Sequence, residues 1–227
     1  MGIAALLRAA GVGIGDEVLV PAFGNVEIAR AVTLAGAVPA FADIDPVTYA
    51  LSPAAVAEAV TARTAAVVAV HRFGRPADLA GLHAIGQRHQ LLVIEHRDGD
   101  GEAPHDEIAR RRERAAYLDA RLRGVETPDR GAGHTYEQYV VRVPGNGRPD
   151  RDAFAHAVRA RGVACSVPVK TPVHRLPGFR RCVSLPQTER AADETLALPV
   201  HPALTKRDMQ KIASACNALG GLLQSAS

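Results

Sequence analysis

Short apolar runs separated by segments of helical period dominate the first hundred residues. Glu17-Val18-Leu19-Val20-Pro21, Val38 to Ala42, Ala65 to Val70 and Leu91-Leu92-Val93-Ile94 each read as a strand. The unbroken apolar character, clearest in the last two, predicts burial on both faces. Between the runs the pattern turns helical. Gly2 to Ala10 reads as a short helix, and Gly11 to Gly15 as a turn. Asn25 caps a helix running to about Ala35, where Gly36 stops it. Ser52-Pro53 opens another, with Ser as the cap and Pro in the first helical position. A further helix runs from about Asp78 to His89. Strand alternating with helix at these spacings predicts βαβ units and a mainly parallel sheet flanked by helices.

After Glu102 the pattern changes. Asp106 to Arg123 is a long helical segment with Ile108, Ala115, Leu118 and Leu122 on its apolar face. Tyr136 to Val143 alternates polar and apolar residues, which suits an antiparallel strand with one wet face. Asp150 opens a helix that Gly162 closes, and Val163 to Val167 reads as a short strand. Thr205 and Asp208, spaced as a near capping box, start a last helix that ends at Gly220-Gly221. The expectation is an α/β domain over 1–103 and a small C-terminal α+β lobe over 104–227.

The apolar runs end abruptly in polar residues. Leu91-Leu92-Val93-Ile94 is followed by Glu95, His96, Arg97 and Asp98, and Ala65 to Val70 by His71. Ligands of open α/β sheets bind just outside the carboxyl ends of the strands. His71, Glu95, His96 and Asp98 therefore make a candidate general acid/base set, since imidazole titrates near neutrality and a carboxylate fixes its tautomer. The plainer alternative is that His71 is kept for packing and that the charged tail simply bridges to the next element. Asp98-Gly99-Asp100-Gly101 resembles the start of a calcium loop. Ala103 and Ala109 stand where that loop needs Gly and Glu, and no pair spacing supports zinc, so no metal is expected.

Composition narrows the class. A hydrophobic fraction of 47% with 22% charged residues is that of a globular protein. A net charge of +3, 4% aromatics and no Trp speak against nucleic-acid binding. No apolar run is long enough to span a membrane, and no basic leader suggests a secretory signal. Cys165, Cys182 and Cys216 form neither a disulfide framework nor a C-x-x-C pair, which fits a cytoplasmic location.

Several runs resemble signatures of the DegT/DnrJ/EryC1/StrS family of pyridoxal-phosphate sugar aminotransferases. They are Gly15 to Pro21, Gly36-Ala37-Val38-Pro39 with Asp43 to Tyr49, Val70 to Asp78, Leu185 to Ala191, and Leu196 to Thr205. The matches span nearly the whole chain in family order. The resemblance implies the type I aminotransferase fold, a sugar-like or natural-product substrate and a homodimer. It places Phe73 and Arg75 in a family motif, and Lys170, His174 and Arg175 in or beside the substrate-side loop, as candidate substrate contacts.

The chain departs from that pattern where the cofactor is held. Met1 stands where the Ser of a Ser-Gly-Thr phosphate turn is expected, and His96 where an Asp pairs with the pyridinium nitrogen. The block carrying the Schiff-base lysine is missing between the Leu91 strand and Ile108. Lys170, Lys206 and Lys211 are the only lysines. The expectation is therefore a homologue without pyridoxal phosphate, acting on a sugar-like intermediate by acid/base chemistry of isomerase, lyase or cyclase type. The alternatives are a non-catalytic partner subunit and a transaminase that uses Lys170.

Overall fold

The computed structural model describes residues 2–97, 103–144 and 151–223, with side chains to residue 218. Its elements divide between two compact units. One comprises 1–72, 76–99 and 171–190, and the other 73–75, 100–170 and 191–227. Apart from the short excursion at 73–75, the chain leaves the first unit at 99/100, four residues from the expected 103/104 boundary, but segment 171–190 belongs with the first unit.

In the first unit, α1 (Ile3–Ala9), β1 (Glu17–Pro21), α2 (Val26–Leu34), β2 (Val38–Ala42), α3 (Pro53–Ala59), β3 (Thr64–His71), α4 (Leu79–His89) and β4 (Leu92–Arg97) follow in order. The four strands form one parallel sheet in the order β2-β1-β3-β4. Strand side chains alternate between faces, and both faces are apolar here. Val18, Val20, Val68 and Val70 pack with Ile3, Leu7, Ile28 and Val32 on one side. Leu19, Val67 and Ala69 pack with Leu51, Val56 and Leu82 on the other. The caps are those the sequence predicts: Asn25 accepts the Glu27 N–H, and Ser52 the Ala55 N–H.

The Leu91 run differs from the expectation. β4 pairs with β3 and is an edge strand among the described residues, so Leu92 is exposed, Val93 is half-buried, and only Leu91 and Ile94 are buried. Strand order, which local composition does not encode, decides that.

The second unit contains α5 (His105–Asp119), β5 (Tyr139–Arg142), α6 (Arg151–Ala160), β6 (Thr195–Leu198) and α8 (Lys206–Leu223); α7 (Pro186–Glu194) begins in the first unit. β5 pairs antiparallel with β6. Leu118, Tyr139, Val141, Phe154, Val158, Leu196 and Ile212 form its core. The expected Tyr136–Val143 strand is shorter, because Tyr136 adopts a left-handed φ of 50° that no strand accepts. Val163 to Val167 supplies one bridge, Ser166 to Ala197, and no named strand. The residue expected to open α6, Asp150, lies outside the described residues. The last helix starts as predicted: Thr205 N–H donates to Asp208, and Asp208 N–H donates back to the Thr205 hydroxyl. It continues past Gly220-Gly221 to Leu223.

Candidate functional site

The carboxyl edge of the first unit's sheet carries a polar pair made by β3 and β4. Ala66 to Val70 are fully buried, and the strand ends in two buried polar residues, His71 and Arg72. In the parallel register Ala69 faces Glu95, Val70 faces His96 and His71 faces Arg97. The chain then turns, and the Ala77 N–H donates to His71 Nδ1 at 2.9 Å. His71 Nε2 lies 2.8 Å from Glu95 Oε1.

These two bonds settle the tautomer. A nitrogen that accepts an amide hydrogen carries none of its own, so the ring proton sits on Nε2 and is donated to the carboxylate. The expected roles are thereby exchanged. His71 is only 8% exposed and orients Glu95, whose side chain is 54% exposed and presents itself to solvent. Of this pair, Glu95 is the one whose exposed oxygen can accept a proton or a hydrogen bond from a hydroxyl.

Arg72 was not anticipated from the sequence. Its guanidinium carbon lies 5.7 Å from the Phe23 ring centroid, a cation–π contact, and Phe23 in turn lies 5.7 Å from Tyr49. Phe23 follows β1, so this stack joins the carboxyl ends of β1 and β3. The paired polar residues His71-Arg72 after an apolar strand were the available signal.

His96 is half-buried on β4, and Asp98 lies outside the described residues. His174 is 2% exposed, packs against Phe41 and faces Glu189 at 3.3 Å, so it has almost no surface to offer a ligand. Arg175 pairs with Glu189 at 2.9 Å. Asp43, near this segment, accepts the Gln187 and Thr188 N–H groups at 2.9 and 2.8 Å and so caps the start of α7. Phe73, Arg75 and Lys170 belong to the second unit. Lys170, Lys206 and Lys211 are all exposed. Among the described residues no group of three His, Cys, Asp or Glu is placed to hold a metal.

Arg75 builds a loop in the second unit. It donates to the Asp129 carbonyl and carboxylate at 2.9 and 2.6 Å, holding the Asp129 carboxyl below its usual range. Gly74 accepts both the Thr135 N–H and hydroxyl, at 2.7 and 3.1 Å. A Cβ on Gly74 would collide with Thr135 and the Glu137 amide, and one on Gly131 with Arg75. His134 is buried in this loop and stacks on Tyr136 with ring centroids 3.9 Å apart and nearly parallel planes. Its Nδ1 accepts the Tyr136 N–H, and burial, aided by the Arg75 charge, pushes its pKa down to about 4.

The DegT/DnrJ/EryC1/StrS aminotransferase family model matches residues 1–97 and 103–217. The chain is 29% identical to the "Pleiotropic regulatory protein" of Geobacillus stearothermophilus over 298 aligned residues, covering 91% of this chain and 79% of that one. It is 26% identical to the UDP-N-acetyl-3-dehydro-alpha-D-glucosamine 3-aminotransferase of Acidithiobacillus ferrooxidans, over 92% of this chain and 79% of the relative. Both alignments are longer than the 227-residue chain, so each relative carries residues inside the matched span that this chain lacks. A shorter match, 52% identical over 91 residues, is to the L-glutamine:2-deoxy-scyllo-inosose aminotransferase of Micromonospora echinospora; it takes in 39% of this chain and 21% of that enzyme. Among solved structures, the aminotransferase TlmJ from Streptoalloteichus hindustanus superposes with a TM-score of 0.85 at 25% identity, over 99% of this chain and 84% of that one. DesV from S. venezuelae, solved with a ketimine intermediate, gives a TM-score of 0.83 at 22% identity, over 99% and 82%. The expected type I aminotransferase-like fold is borne out.

Proposed function

The chain belongs to the DegT/DnrJ/EryC1/StrS aminotransferase family, and we propose that it binds a polyhydroxylated ring ketone, or a related sugar, without the Schiff-base chemistry of a transaminase. The observation that carries this is the placement of the lysines. A pyridoxal-phosphate site needs a lysine amine held against the cofactor and a partner for the pyridinium nitrogen. All three lysines are exposed, and none is buried as an amine held against a cofactor ring would be. Glu95 and Asp43, described carboxylates near the carboxyl edge of the sheet, are already engaged, Glu95 by His71 and Asp43 by the start of α7. In this reading the residues do not fit pyridoxal phosphate, and no step passes through it.

What the residues supply is acid/base chemistry. Glu95, held by His71 behind it and open to solvent in front, accepts a proton from a carbon beside a carbonyl or from a ring hydroxyl. That is the first step of an isomerisation or an elimination. The ring ketone is suggested by the names of the relatives, which act on an oxo-sugar nucleotide and an inosose. A second reading is a binding subunit without turnover, favoured by the regulatory name of the Geobacillus relative. The proposal extends to a cytoplasmic homodimer. The three unpaired cysteines support the compartment, and sedimentation velocity tests the dimer.

The test is to incubate the protein with 2-deoxy-scyllo-inosose in deuterated buffer and follow loss of the C–H signals beside the ketone by NMR. Deuterium uptake that disappears in Glu95→Gln supports the enzyme, and saturable binding without uptake supports the subunit. A stoichiometric borohydride-trapped pyridoxal adduct confined to one lysine, formed at micromolar cofactor, overturns both readings.

A further inference from the structure

A second binding site is built into the loop that Arg75 holds. Between α5 and residues 130–136 lies a cavity of about 330 Å³. Two guanidinium groups line it. Arg112, on α5, uses its Nε to donate to the His134 carbonyl at 2.9 Å, which fixes the side chain along the wall. Arg130 uses its Nε to bind Asp119 at 2.8 Å, and its side chain is 65% exposed. The opposing charge is accounted for: both Asp119 oxygens are occupied, one by Arg130 and the other by the Tyr139 hydroxyl at 2.6 Å. Asp129 is likewise occupied by Arg75. His134, which also lines the cavity, is kept uncharged by burial at neutral pH. Counting Arg112, Arg130 and Asp119, the cavity wall carries net positive charge, and among the described residues no bond engages the terminal nitrogens of either guanidinium.

The geometry points to a site for a phosphorylated small molecule, its phosphate held by Arg112 and Arg130 and its body against the Gly131–Gly133 turn. Guanidinium forks suit phosphate oxygens, which accept two parallel N–H bonds from each fork. The loop is committed to this shape before any ligand arrives. Tyr136 and Gly133 hold left-handed backbone angles, φ 50° and 81°, and Arg75 and Thr135 tie the loop down at both ends. The strain at Tyr136, a non-glycine residue held there by surrounding bonds, is a mark of functional loops. The site lies wholly in the second unit and is independent of Glu95.

Isothermal titration with inorganic pyrophosphate tests the site, with UDP as a second arm to separate a phosphate site from a nucleotide site. Saturable binding is expected, weakened at least tenfold in Arg112→Gln and in Arg130→Gln and unchanged in Arg180→Gln, an exposed arginine of the first unit. Tighter binding of UDP than of pyrophosphate assigns the nucleotide. Thermal melting checks that each variant folds; should Arg130→Gln unfold because Asp119 loses its partner, Arg112→Lys, which keeps the charge but not the fork, takes its place with the same expected loss. No binding to wild type, or equal binding in wild type and the folded variants, overturns the site. So does an equal loss in Arg180→Gln, which would mark non-specific charge attraction.

Discussion

His71 and Glu95 are joined by a hydrogen bond whose direction is fixed from behind: the Ala77 amide occupies Nδ1, so the imidazole donates and the carboxylate accepts. Under conditions where free imidazole is neutral, the ¹⁵N chemical shifts of His71 are expected to show a protonated Nε2 and a bare Nδ1. The opposite tautomer would break the assignment of Glu95 as the proton acceptor.

Replacing the two residues separates stability from function. His71→Phe strands the buried Ala77 N–H and is expected to cost about 1–3 kcal/mol in denaturant unfolding. Glu95→Gln sits at an exposed position and is expected to change stability by no more than about 0.5 kcal/mol, while abolishing deuterium exchange into a bound ketone. A large destabilisation in Glu95→Gln would mark the pair as purely structural.

Asp43→Ala removes the acceptor for two amides at the start of α7. Loss of such a cap costs about 0.5–2 kcal/mol, read as a lowered midpoint in urea. Asp43→Asn keeps an acceptor oxygen and should recover part of it.

His134 makes stability depend on pH in a stated direction. Its pKa is about 4 folded, against ~6.5 in an unfolded chain. The unfolded state therefore binds a proton first as pH falls. Stability from this group is fully present above ~6.5 and is lost progressively down to about 4, by up to roughly 3 kcal/mol, with no further loss below. His134→Gln should flatten that part of the unfolding curve measured across the same range.

The thiols differ in reactivity. Cys182 is exposed, whereas burial pushes the Cys216 pKa up to about 12 and raises that of Cys165. A thiolate-seeking reagent should titrate Cys182 in the native protein and reach Cys216 only on unfolding. Rapid reaction at Cys216 would show that the α8 packing opens.

The parallel sheet was legible because its central strands are encoded locally: Val18 to Val20 and Ala66 to Val70 are apolar at every position, as burial on two faces demands. The caps at Asn25, Ser52 and Thr205 were legible for the same reason, since donor and acceptor lie within three residues. Pairing over distance was not. Leu92 looks as buried as Val68 until strand order leaves it on an edge. Nothing local to Arg75 announces its partner Asp129, fifty-four positions away. The strand Thr195–Leu198 is short, and its partner, Tyr139–Arg142, lies far back in the chain. His71 and Glu95 were visible as strand-end residues, but which of them orients the other depended on one backbone amide, Ala77.

The path of the chain limits how the protein can be taken apart. Segment 171–190 belongs with the first unit, and Val173 and Leu185 are part of that unit's core. A gene fragment ending at residue 103 would therefore lack two of its buried apolar residues, and a fragment starting at 104 would carry them as orphaned, sticky surface. Genetic dissection at a single point yields two incomplete proteins; the two halves are expected to recover their fold when co-expressed rather than when made apart.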